Sequence, residues 1–280
     1  MTQATPARRA QLAKTARARR TSMRDALHAE WTKARTLPGT SWLLLAAVAL
    51  TVIVSSAVAA TVSCPSGHCA EDPAKISLTG IYLGQAAIAI VGVLAVSSEY
   101  STGMIRVTLA AMPRRATVLA AKAAILTGSV LAAGALAVLG SVLAGRLILP
   151  GRGIGPAHGY PALSLADGPV LRAAAGSVLY LALIALLSLG VATAVRDGAT
   201  AIGIVLGLLY LFPVLGQVVG SATWHRHLEE LAPMTAGLAI QATTGLHSLP
   251  ISPWAGIGVL AGWAAAALLA GGILLRLRDA

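Results

Sequence analysis

The sequence predicts an all-α integral membrane protein, with six transmembrane helices preceded by an amphipathic interfacial helix and both termini cytoplasmic. Three observations predict it. Hydrophobic residues make up 56% of the 280-residue chain and charged residues 11%; soluble domains run at about 45–50% apolar with glycine included and about 25% charged, so too little polar surface exists to face water. Six charge-free apolar runs each reach the roughly 20 residues needed to cross a hydrocarbon core about 30 Å thick. The basic residues, 21 against 10 acidic ones for a formal charge of +11, fall mostly on one side of those runs.

Residues 1–21 open the chain as a basic tail with six Lys and Arg before residue 21 and no acid, expected to be disordered and cytoplasmic and able to touch anionic lipid. Arg19-Arg20 and Ala57-Val58-Ala59 raise the alternative of a cleaved export signal. The apolar run between them is too long for one, and no hydrophobic pair follows the arginines. Cys64 is not expected to be lipidated, because Thr61-Val62-Ser63 is a poor approach to a lipidated cysteine.

Residues 22–38 read as the interfacial helix. Met23, Leu27, Trp31, Ala34 and Leu37 recur at spacings of three and four, which places them on one helical face, while Arg24, Asp25, His28, Lys33 and Arg35 fill the remainder. Ser22 with Asp25 makes a capping-box-like start and Pro38-Gly39 a stop. Such a helix lies on the inner leaflet with Trp31 near headgroup depth.

The transmembrane domain spans 41–275, and its runs are 41–63, 78–98, 123–145, 173–195, 199–223 and 254–275. They are continuous and rich in Ala, Leu and Gly, unlike the short alternating segments of a barrel, and the small residues suit close helix packing in lipid. With the N-terminus inside, sixteen of the basic residues lie on the inner side and five (Lys75, Arg146, Arg152, Arg172, Arg226) on the outer, while the acids divide evenly. Basic residues stay on the cytoplasmic side, so the formal charge is a topology signal. Nucleic-acid binding becomes an unnecessary explanation of it, and ten Tyr and Trp with one Phe leave few rings for base stacking. Residues 276–280 form a short cytoplasmic tail.

Several connections carry chemistry. Glu99 directly abuts lipid-length apolar sequence, where a carboxylate is costly unless paired; Arg106 and Lys122 are its candidate partners, and a plain interfacial salt bridge is the alternative to a functional role. Cys64-Pro65-Ser66-Gly67-His68-Cys69 sits on the outer side, where oxidation is permitted. Its turn-forming residues favour a small Cys64–Cys69 disulfide over free thiols, and over a metal site, which needs more ligands than these. His225-Arg226-His227 with Glu229-Glu230 reads as a solvated loop rather than a metal site. Residues 231–253 are uncharged but too rich in Pro, Thr and Gln for a comfortable span; Met234, Leu238, Ile240 and Leu246 there would be a packed loop or an outer helical, partly re-entrant segment.

The run from Glu99 and Tyr100 through Gly103, Arg106, Leu109 and Pro113-Arg114-Arg115 to Lys122 resembles the signature of the permease subunits of type 2 ABC transporters. Three further places agree in order: Glu30-Trp31-x-Lys33 resembles that family's helix before its first span, Arg196-Asp197 its short turn between spans four and five, and Arg276-Leu277-Arg278-Asp279 its finish. Met104 departs from the pattern, since a small hydroxyl residue is common after the glycine. The resemblance implies a plasma-membrane permease subunit that pairs with a second six-span copy, in a homodimer or heterodimer, and with separate cytoplasmic ABC ATPase subunits that bind ATP and Mg. It also implies that the segment after span two is a coupling element shaped by Gly103 and Pro113 and anchored by Glu99, Arg106, Arg114 and Arg115.

This chain has no Gly-Lys dipeptide and so no phosphate-binding loop of the Gly-x-x-x-x-Gly-Lys type; no cofactor or metal is expected on it. Export of a hydrophobic or amphipathic molecule by alternating access is the leading expectation. The absence of charge pairs in the middle of the spans argues against proton or sodium coupling. All six histidines fall outside the span centres, which argues against an intramembrane enzyme. The alternative is a non-pumping membrane module of similar fold, serving immunity, sensing or assembly.

Overall fold

A computed structural model describes residues 23–33, 35–36, 38–64, 72–105, 115–160, 163–218 and 229–277. Among them the regular structure is helical throughout, with no strand. Helix α1 covers residues 23–33. It is followed by α2 (Pro38–Thr61), α3 (Pro73–Ser77), α4 (Ile81–Ser101), α5 (Arg115–Ile148), α6 (Gly168–Val195), α7 (Gly198–Val218), α8 (Pro233–Leu238) and α9 (Pro253–Leu277), with short 3₁₀ turns between some of them. Six of these helices are long and apolar enough to cross a membrane: α2, α4, α5, α6, α7 and α9. The chain is a multi-pass membrane protein by that measure.

Helix α6 is the hub. It packs against α4, α5, α7 and α9, while α2 lies against α4 and α5. Helices α4 and α6 bury 56% and 61% of their apolar windows and the other four a third or less, so these two form the core and the rest present a face outward. On α5 that face is Leu136, Leu139, Leu143 and Leu147, all exposed. Their spacing of three and four makes a single stripe suited to lipid. Small residues set the α6–α9 seam: a Cβ on Gly190 would lie 2.5 Å from the Ala267 carbonyl carbon, and one on Gly271 would lie 2.6 Å from the Gly190 oxygen. The backbones meet where any side chain would hold them apart.

Two helices take in residues beyond the bounds of the apolar runs. Helix α5 includes Lys122 and extends back to Arg115, the first described residue of that helix, and the Lys122 charge is neutralised within the bundle. Pro38 is itself helical, the first described residue of α2, where the sequence suggests a stop. Residues 231–252, before α9, form a packed segment, with Met234, Leu238 and Ile240 buried and Leu246 exposed. Residues 1–21, Cys69, Arg106, Pro113, Arg114, the end of the fifth run at 219–223, and His225 to His227 lie outside the described residues.

Candidate functional site

At one end of the bundle, two acids and two lysines from three helices converge. Lys122, in the second turn of α5, donates to Glu99 Oε1 and to Glu30 Oε2, each at 2.9 Å. Lys33 Nζ donates to Glu99 Oε1 at 2.7 Å and to Glu30 Oε1 at 2.9 Å. Side-chain exposure is 6% for Lys122, 7% for Glu99 and 10% for Glu30, against 27% for Lys33. The cluster is electrically neutral, which is the condition under which buried charges persist, since an unpaired one would cost several kcal/mol. For Lys33, burial acts to lower the ammonium pKa, but the hydrogen bonds and charges of Glu99 and Glu30 outweigh it and hold the group above the ordinary lysine value.

Local sequence explains how the groups arrive together. Glu30 and Lys33 are three apart on α1 and so share a face. On that face Glu30 and Ala26 are buried and Lys33 is half-buried, whereas Met23 and Trp31 are exposed and the Arg35 guanidinium sits 5.7 Å from the Trp31 ring centre. The helix therefore turns its charged pair inward and Met23 and Trp31 outward, with Leu27 between. Glu99 occupies the last turn of α4. That helix closes at Thr102, and Gly103 follows with a φ of +69°, a left-handed conformation that glycine adopts without steric cost and that commonly ends a helix.

The chain matches no protein-family model and no curated protein. The functional reading therefore rests on the residues themselves, and several predicted ones stand around this cluster. Tyr100 carries the Arg196 guanidinium 5.5 Å from its ring centre, which ties the end of α4 to the connection between α6 and α7. Arg196 itself has a φ of +67° and donates its backbone N–H to Ala192 O. Asp197 then caps α7 by accepting from the Thr200 N–H at 2.8 Å, and that hydrogen bonding holds its carboxyl below the usual range. Arg115 Nη1 donates to the Leu275 carbonyl at 2.6 Å, satisfying one of the orphan acceptors at the end of α9.

Of the two partners expected for Glu99, the structure places Lys122 on it, while Arg106 lies outside the described residues. The sequence reading missed that Glu30 and Lys33 complete the cluster. Their charge pattern on α1 was visible, but nothing local linked it to residue 99.

The opposite end holds two polar networks that apolar runs did not announce. Asp72 caps α3 by accepting from the Ala74 and Lys75 N–H groups, and it also accepts from Thr243 N at 2.5 Å, Thr243 Oγ1 at 2.6 Å and Thr244 N at 3.1 Å. Arg172 donates to the Ala242 carbonyl of the same turn. Gln85, fully buried on α4, accepts from Tyr180 Oη and donates to Met234 Sδ. Cys64 is buried, its N–H bonds Arg152 O at 3.0 Å, and its sulfur is in a disulfide.

Proposed function

We propose that the chain is the membrane-spanning subunit of an ABC transporter, exporting a hydrophobic or amphipathic molecule by alternating access while ATP is hydrolysed in separate cytoplasmic subunits. In this reading the Glu99 end faces the cytoplasm of a cell whose plasma membrane the six helices span, and a second six-helix copy completes the path. The chain itself hydrolyses nothing.

The observation that carries the reading is the four-residue ion cluster. The segment that would receive motion from an ATPase leaves α4 just after Glu99 and re-enters α5 just before Lys122, and these two residues are joined to each other and to α1 through Glu30 and Lys33. A displacement of that segment would thus move three helices as a unit. Tyr100 on Arg196, and Arg115 on the end of α9, would extend the same movement to α6, α7 and α9. Interfaces of this kind have discrete packed arrangements rather than a continuum, which suits a two-state transport cycle.

The test is to purify tagged protein in mild detergent and identify what accompanies it. Co-purification of an ATPase with a phosphate-binding loop, two copies of each subunit per complex, is the expected result. A lone protein free of any ATPase across several detergents would overturn the transporter reading in favour of a non-pumping membrane module.

A further inference from the structure

Beside the ion cluster lies a cavity of about 360 Å³ between α1, α2, α4 and α5, a size within the range of small-molecule sites. Its walls change character along its length. Leu44, Val91, Leu94, Ile125 and Leu126 line one part; Glu30, Lys33, Glu99 and Lys122 line the other. From Glu99 back to Val91 is eight residues of helix, about 12 Å at 1.5 Å per residue. A charged end and an apolar trough of that length describe an amphipathic occupant.

The hydrogen-bonding groups narrow its chemistry. Glu99 Oε1 takes both lysines, and the buried Oε2 takes no partner, which leaves a carboxylate oxygen short of a donor. Four of the five hydroxyls that line the cavity are spent in the same sense: Ser98, Thr102, Ser129 and Thr36, though not Thr40, each donate to a backbone carbonyl three or four residues back, leaving lone pairs. The site is rich in acceptors. It also offers donors, because each lysine commits two of its three N–H groups within the cluster.

An anionic head would meet these lone pairs and an unpartnered carboxylate oxygen. An ammonium head cannot accept from the lysines, and it would add charge to a cluster that is already neutral. An uncharged head with several hydroxyls satisfies both sets.

We propose that this cavity binds a single-chain amphipath with an uncharged polyhydroxyl head, of glycoside or glycerol type, the head at Glu99 and Lys122 and the chain along Leu44, Val91, Leu94 and Ile125. The site does not depend on the chain being a pump, so an absent ATPase leaves it standing.

The experiment uses the full-length protein in phosphatidylcholine nanodiscs with an alkyl glucoside bearing a diazirine in its tail, and mass spectrometry of the crosslinked peptides. Labelling is expected at Val91, Leu94 and Ile125 in excess of the lipid-facing Leu139 and Leu143. Excess plain alkyl glucoside should remove the cavity labelling, whereas alkylammonium and alkyl sulfate of equal length should leave it. Ala95→Trp, which fills the trough, should reduce cavity labelling by about tenfold, the change produced by losing 1.4 kcal/mol of binding, with labelling at Leu139 and Leu143 unchanged as the sign of normal insertion. Probe added from water or premixed with the lipid distinguishes a soluble amphipath from a membrane lipid, and either route supports the site. Cavity labelling no greater than at the lipid face, or displacement by the charged amphipaths as effective as by the glucoside, overturns the proposal. The competition arm uses unmodified protein and holds even if Ala95→Trp fails to fold.

Discussion

Removing the Lys122 charge is the sharpest test of the ion cluster. In Lys122→Met the chain keeps a side chain of similar length, but Glu30 Oε2 loses its bond and Glu99 keeps only Lys33, so a neutral buried group of four becomes a group of three carrying a net negative charge. Lys122 and its two partners are each 90% or more buried, which puts the loss in the class of a broken buried pair, about 3–5 kcal/mol. For a domain of this size such a loss lowers the melting temperature by on the order of 10 °C, measured as the fraction of monodisperse protein surviving heat in detergent. Lys33→Met should cost less, about 1 kcal/mol, because Lys33 is 27% exposed and water screens what it leaves behind. The double variant Lys122→Met with Glu99→Gln restores neutrality and should recover about 1–3 kcal/mol of the single loss. A Lys122→Met protein that melts with the wild type, or a double variant less stable than both singles, would refute the view that burial and charge balance hold these helices together.

Three other outcomes follow from the same structure. Asp72→Ala removes a carboxylate that accepts five hydrogen bonds and should cost about 2–3 kcal/mol, with amide exchange at Thr243 and Thr244 accelerating; unchanged exchange there would show the latch to be inert. Because the Lys33 pKa is raised in the folded protein, its contribution is fully present below the ordinary lysine value near about pH 10.4 and is lost as the pH rises through the raised one. That contribution should therefore be flat through neutrality and fall at high pH, and Lys33→Met should lack that part of the fall. Alkylation of intact protein should reach Cys64 only after reduction, and labelling without reductant would contradict the disulfide.

The spans were legible because lipid is an intolerant solvent: a helix crossing it must be apolar over its whole length, whatever it packs against. The same criterion left Lys122 outside the third run, since a charge count cannot see that Lys122 is cancelled by Glu99 and Glu30. The demand of Glu99 for a cation could be read from its place at the end of an apolar run, and Lys122 was one of two candidates for it. Glu30 and Lys33 could not be linked to it, because their contact spans 66 residues or more of chain and depends on how α1 is rotated. For the segment before α9, Pro, Thr and Gln left a packed loop and a partly re-entrant helix both open, and the register of the packed structure is set by close approach: a Cβ on Gly256 would overlap the Ala236 carbonyl oxygen, and one on Gly237 would lie 2.6 Å from the Tyr180 ring. Local composition carries no trace of such contacts.

The ion cluster also sets an order on synthesis. Glu30, Lys33 and Glu99 leave the ribosome before Lys122, and Lys33 alone cannot neutralise both acids. Until α5 emerges, the nascent α1–α2–α4 intermediate holds a surplus negative charge at a position destined to be dry. A chain truncated after α4 is thus expected to be degraded faster than one extended through residue 130, and adding Lys122→Met to the longer chain should return it to the faster rate. Equal lifetimes for the two truncations would show that the acids stay hydrated until the bundle closes. The third span would on this view act as a checkpoint, admitting the first two to the membrane as a finished unit only once its lysine has arrived.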